Sequence, residues 1–255
     1  MNLLILNASP KKKGGASRFF SRLFRLFLPG IRKKEVSLST RQDFQKVMEL
    51  FPGMDVVCLF VPLYVDGLPS HVVEFLMQAE EYCKNHSCRF RLYALSNNGF
   101  VEGKQNRPAL HMLQAWCKRA GITWGGGIGI GGGMMLHVLG IVYPILIGIL
   151  LLQMALSFFD IGAAPDGLLH SLAIQIFTWL FLNSGVLFCM ARLSLAIFRE
   201  RALTDQFTRV MIPSFLFVPM ADLFMILSSL FQGRFLFALL KRDTPRRVKT
   251  LRNGG

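Results

Sequence analysis

Leu3-Leu4-Ile5-Leu6-Asn7-Ala8-Ser9-Pro10-Lys11-Lys12-Lys13-Gly14-Gly15-Ala16-Ser17 opens the chain, and its reading decides the fold. The four apolar residues form a strand candidate bounded by turn residues. A loop of Ser, Lys and Gly follows, then a helical run over residues 17–27 that Pro29-Gly30 ends. Strand, glycine-bearing loop and helix make the first unit of a parallel α/β sheet. The hydroxyls of Ser9 and Ser17, the glycines and the helix N-terminus can together cradle a phosphate. Equally, the loop can be a solvated turn with Ser17 as helix cap. It is neither a Walker loop nor GxGxxG, so spacing alone leaves both readings open.

The alternation continues. Strands are expected over residues 35–38, 56–61, 90–95 and 123–130, and helices over 41–51, 72–83 and 108–120. The run at 56–61 is uninterruptedly apolar, as a strand buried on both faces must be. Five strands within about 130 residues predict a three-layer α/β sandwich whose ligand lies outside the carboxyl ends of the strands. Two further loops fall at that end. Pro62-Leu63-Tyr64-Val65-Asp66-Gly67-Leu68-Pro69-Ser70 offers an aromatic and apolar surface for a flat ring, although Tyr64 can also be a packing residue. Ser96-Asn97-Asn98-Gly99-Phe100-Val101-Glu102-Gly103 offers amides to a heterocycle edge, or is simply good turn chemistry.

These three loops, in this order, resemble those of the flavodoxin-like NAD(P)H-dependent FMN and quinone reductases. The resemblance covers residues 1–133. It implies a flavodoxin-like sandwich with a five-stranded parallel sheet, FMN as cofactor and NAD(P)H as co-substrate. It implies that Ser9, Lys11, Gly14 and Ser17 hold the FMN phosphate, that Pro62, Leu63, Tyr64 and Val65 line the isoalloxazine, and that Asn97, Asn98 and Gly99 contact its polar edge. The chain departs from that family in the three consecutive lysines of the first loop, the short second strand and helix, and the sequence after residue 133.

That later sequence is of another kind. Residues 138–159 and 171–191 carry no formal charge and are each long enough to span a bilayer as a helix. A hydrophobic share of 52% and mean hydropathy of +0.42 fit a soluble domain (residues 1–133) joined to a helical membrane domain (134–255). The third apolar stretch, 210–240, is interrupted by Pro213, Pro219, Asp222 and Arg234, which suits a hairpin of two short helices or a helix lying in the interface. Asp222 is a candidate partner of Arg192 or Arg234.

The net charge of +14 is unevenly placed. Nine Lys and Arg precede the first acidic residue, Glu35, and a second basic group surrounds the last apolar stretch. The loop over 160–170 has no Lys or Arg, whereas Arg192, Arg199, Arg201 and Arg209 follow the second stretch. The pattern predicts a multi-pass protein of the cell membrane with its N-terminal domain and basic tail in the cytoplasm. No DNA-reading motif or basic-aromatic platform accompanies the charge, so the membrane surface is favoured over nucleic acid and no nucleic-acid partner is expected. Membrane lipid, a quinone or redox partner protein, and a second copy of the chain are the partners this reading allows.

Cys58, Cys83, Cys88, Cys117 and Cys189 form no CxxC pair and are expected as free thiols. His71, His111 and His137 lack metal-ligand spacing, and no metal is expected. Asp66 and Glu102 lie near the expected site without establishing acid/base chemistry. The run Gly125-Gly126-Gly127-Ile128-Gly129-Ile130-Gly131-Gly132-Gly133 is expected to be a fifth strand ending in a hinge. The sequence therefore predicts a membrane-anchored FMN oxidoreductase carrying electrons from NAD(P)H to a quinone or similar acceptor. The alternative is a non-catalytic flavin-binding sensor or assembly module.

Overall fold

The computed structural model describes residues 1–10, 15–64, 67–86, 88–159 and 167–231. It comprises two units, Met1–Met211 and Ile212–Gly255. The first unit holds strands β1 (Asn2–Asn7), β2 (Arg32–Ser37), β3 (Val56–Pro62), β4 (Arg91–Asn97), β5 (Thr123–Gly131) and β6 (Gln206–Arg209). Its helices are α1 (Ala16–Arg25), α2 (Gln42–Met48), α3 (Ser70–Asn85), α4 (Arg107–Ala120), α5 (Gly133–Phe158) and α6 (Leu168–Phe198).

All strands are parallel, in the order β2-β1-β3-β4-β5-β6. The first five reproduce the flavodoxin-like order 2-1-3-4-5, whose direction reverses between β1 and β3. The sheet has six strands rather than the five expected. Only four residues long, β6 carries no apolar run that periodicity could detect, and it comes from beyond residue 133. β2 was weak in sequence because it is an edge: Arg32, Lys33, Lys34 and Glu35 stand where no further strand pairs.

Strand alternation divides the core. Leu4, Leu6, Val57, Leu59, Val61, Leu92 and Ala94 belong to a buried cluster with Phe44, Val72, Phe75, Leu110 and Trp116 from α2, α3 and α4. On the opposite face the rings of Phe24 in α1 and Phe60 in β3 lie 5.8 Å apart. There α6 joins α1 in the layer: its Val186, Met190, Leu193 and Ile197 are buried, and the carbonyls of Ala196 and Arg201 accept hydrogen bonds from the Tyr93 hydroxyl. Each such apolar side chain contributes roughly 1.5–3 kcal/mol.

The glycine run forms β5 as far as Gly131, with Gly132 and Gly133 starting α5 where a hinge was expected, and its strand residues are glycine because side chains would not fit. A Cβ on Gly131 would come within 2.2 Å of the Val101 carbonyl oxygen, and one on Gly129 within 2.7 Å of the Gly103 carbonyl oxygen. The loop over 101–106 thus lies directly on β5, which explains the glycines by close approach.

Helices α5 and α6 are long and apolar enough to cross a membrane. The charge-free stretch at 171–191 divides in space: its first part is largely exposed, while Val186, Cys189 and Met190 are buried within the protein. The second unit contains α7 (Ser214–Phe231), which passes through Pro219 as one helix. Residues 232–240 of the third apolar stretch, with Arg234, lie outside the described residues.

Candidate functional site

At the carboxyl edge of the sheet, where the strand order reverses, a cavity of about 320 Å³ is lined by Ser9, Gly15, Ala16, Ser17, Pro62, Leu63, Tyr64, Asn97, Asn98, Gly99, Phe100 and Met134. The ladder continues past the strand ends and fixes the walls: Ala8 N–H donates to the Phe60 carbonyl, Leu63 N–H to that of Asn97, and Asn98 N–H to that of Ile130. Three loops distant in sequence are thereby held side by side.

The first wall is the start of α1. Gly15 precedes it with φ of 109°, a conformation that L side chains rarely adopt, and a Cβ there would lie 3.4 Å from the Ser9 hydroxyl. The first-turn amides of a helix have no intrahelical partner and attract anions. No acidic residue lies in that turn, and among the described residues none lines the cavity. The Ser17 hydroxyl donates to Asn97 Oδ1 at 2.8 Å, so its proton is engaged within the protein. Main-chain amides, more than side-chain hydroxyls, are what this wall presents to an anion.

The second wall is Pro62, Leu63 and Tyr64. Reciprocal backbone hydrogen bonds of 3.0 Å between Tyr64 and Gly67 close the loop. Tyr64 is 44% exposed, and partial burial raises its hydroxyl above the ordinary tyrosine pKa. In the third wall, Asn98 Nδ2 donates to the Glu102 carbonyl at 3.2 Å, while its buried Oδ1 has no partner among the described residues. An unsatisfied buried acceptor costs about 1–3 kcal/mol, which a ligand N–H or a water would relieve.

Of the residues expected at the site, Ser9, Ser17, Pro62, Leu63, Tyr64, Asn97, Asn98 and Gly99 line this one cavity. Lys11, Gly14, Val65 and Asp66 lie outside the described residues. Gly15 was read only as one of the glycines of the first loop, and Ala16, Phe100 and Met134 were not singled out in sequence. Phe100 could have been, as a large apolar residue in a turn; Met134 carried no signal, because it arrives from the far side of the glycine run.

Other candidates have structural partners. Glu102 pairs with Arg209 of β6 at 2.7 Å. His71 Nε2 lies 3.2 Å from the Ala8 carbonyl oxygen, bracing the first loop against α3. Among the described residues no group of three or more metal-ligating side chains occurs. All five cysteines are free and buried, and burial pushes the Cys117 thiol up to about 12.

No protein-family model matches the sequence, and no curated protein matches it. Solved structures do resemble its N-terminal half. A NAD(P)H:quinone oxidoreductase from Methanothermobacter marburgensis is 15% identical over 52% of this chain and 84% of its own, with a TM-score of 0.44. The Trp repressor binding protein from Bacillus subtilis is 14% identical over 51% and 84%, with a TM-score of 0.42. A NADPH-quinone reductase from P. pentosaceus is 12% identical over 52% and 86%, with a TM-score of 0.43.

Proposed function

We propose that this chain is a membrane-anchored FMN-dependent oxidoreductase that passes electrons from NAD(P)H to a quinone or similar acceptor. The observation that carries the reading is the cavity at the β1/β3 reversal, bounded by a helix N-terminus on one side and by Tyr64 and Phe100 on others. Small-molecule pockets of about 300–1,000 Å³ combine apolar walls with a few polar groups, as this one does. The amides of α1 would hold the terminal phosphate, Pro62, Leu63 and Tyr64 the ring face, and Asn97, Asn98 and Gly99 its polar edge. Bound FMN supplies the hydride and electron chemistry, and the protein supplies orientation.

Anchoring is supported by the apolar surface of α5 and α6. Ile141, Ile145, Ile149, Leu152, Phe177 and Phe181 are all exposed, an apolar area that water does not tolerate on a monomer. The basic residues after α6 and their absence from 160–170 favour a cytoplasmic N-terminal domain.

The test is an absorption spectrum of detergent-purified protein, followed by NAD(P)H oxidation with and without a quinone. Bound FMN and quinone-dependent turnover support the reading. Bound FMN without turnover would favour the sensor module, and a colourless protein that does not take up added FMN would remove the cofactor.

A further inference from the structure

The direction in which the apolar hairpin leaves the sheet places the cavity relative to a bilayer. α5 starts two residues after β5, at the carboxyl edge, where Gly133 N–H donates to the Asn98 carbonyl. Its next turns lie against α1: the rings of Phe19 and His137 are tilted to each other with centroids 5.8 Å apart, and Phe19 lies against Gly140. α6 returns antiparallel to the strands. Its Leu182 carbonyl accepts Met211 N–H just past the carboxyl end of β6, and its C-terminal end reaches Tyr93 near the amino end of β4. The part of α6 before Leu182, and α5 beyond Gly140, therefore stand out from the carboxyl edge, the edge that holds the cavity.

Exposed apolar side chains run in a band from Ile141 to Phe159, along and just past α5, and are densest on α6 from Leu169 to Phe181, with Phe188, Leu195 and Phe198 exposed farther along α6. At 1.5 Å per residue the α5 part is about 27 Å long, close to the roughly 30 Å of a hydrocarbon core. Met134, in the first turn of α5, lines the cavity seven residues before that band begins, a rise of about 10 Å. Headgroup and interfacial layers add about 5–8 Å on each side of the hydrocarbon core, so Met134 stands at their outer border. At the same level Tyr64, Phe100 and Met134 are 44%, 54% and 41% exposed, large apolar side chains at the mouth that a water-facing pocket would not present together.

We infer that the mouth of the cavity lies at the headgroup zone of the membrane, with Phe100 and Met134 in contact with lipid. A ligand with an apolar tail then reaches the site from the bilayer without passing through water. The inference rests on the membrane anchoring proposed above.

Three variants with a single added cysteine separate the two: Phe100→Cys at the mouth, Gly148→Cys in mid-α5, where a side chain meets nothing within 4 Å, and Thr123→Cys, exposed at the amino edge. The five native thiols are buried and give little background. Each full-length variant carries a polarity-sensitive fluorophore and is reconstituted in phosphatidylcholine–phosphatidylglycerol vesicles with or without lipid bearing a nitroxide, placed near the headgroup in one set and midway along the acyl chain in another. The fluorophores at 148 and 100 should lose much of their emission to one or other nitroxide, and that at 123 almost none. Quenching at 148 with none at 100, or equal quenching at 100 and 123, overturns the inference and leaves anchoring intact. No quenching at 148 overturns anchoring and the inference with it.

Discussion

The Ser17 hydroxyl donates to Asn97 Oδ1 across 2.8 Å, a buried bond between residues 80 positions apart that ties the first turn of α1 to the end of β4. It joins two walls of the cavity and fixes where the α1 amides point. Ser17→Ala should destabilise the fold by about 1–2 kcal/mol by leaving the amide oxygen without its donor. Urea titration of wild type and Ser17→Ala checks this; equal midpoints would show that water replaces the hydroxyl.

The double variant Ser9→Asp with Ser17→Asp places two carboxylates beside the proposed phosphate position. FMN binding, followed by quenching of flavin fluorescence, should be lost through like-charge repulsion. Retained quenching would move the phosphate elsewhere.

Tyr64→Ala removes an aromatic face from the mouth and should weaken FMN binding by on the order of 1 kcal/mol, about fivefold in Kd. An unchanged affinity and flavin spectrum would make Tyr64 a closure residue for its loop only.

Gly131→Ala drives a methyl group into the Val101 carbonyl and the Gly103 amide, neither of which belongs to a flexible side chain. A cost of about 1–3 kcal/mol is expected from the overpacking, read as a lower thermal midpoint in detergent. Gly30→Ala meets nothing within 4 Å but sits at φ of 72°, so its cost should come from backbone strain alone.

Asp43 anchors the start of α2. Burial raises its pKa, but hydrogen bonds from the Thr40 amide and hydroxyl and the Ser39 amide outweigh this and leave it lowered. A lowered carboxyl stabilises the fold above its unfolded pKa and loses that contribution as pH falls through the folded value. Asp43→Ala should therefore cost about 1 kcal/mol at neutral pH, with the difference from wild type shrinking in acid; chemical denaturation across pH reads it.

Cysteines placed at Gly162 and Asn253 test topology. An impermeant reagent on intact cells should label the first and spare the second; labelling at 253 would put the basic tail outside.

Sequence alone determined the parallel α/β order, the three loops and the two charge-free stretches, because strand burial, turn chemistry and membrane length are properties of consecutive residues. The run at 56–61 became β3, and eight of the expected site residues came together in one cavity because every loop after a parallel strand emerges at the same edge. Only the tertiary structure decided β6, whose four residues gain identity from pairing with Ile128–Gly131 and from the Glu102–Arg209 ion pair. It also decided the double character of α6, since a helix apolar on all sides reads the same whether lipid or protein covers it. Met134 joined the site, and the glycines of β5 acquired their reason, through contacts with loops about 30 residues away, which no local pattern encodes.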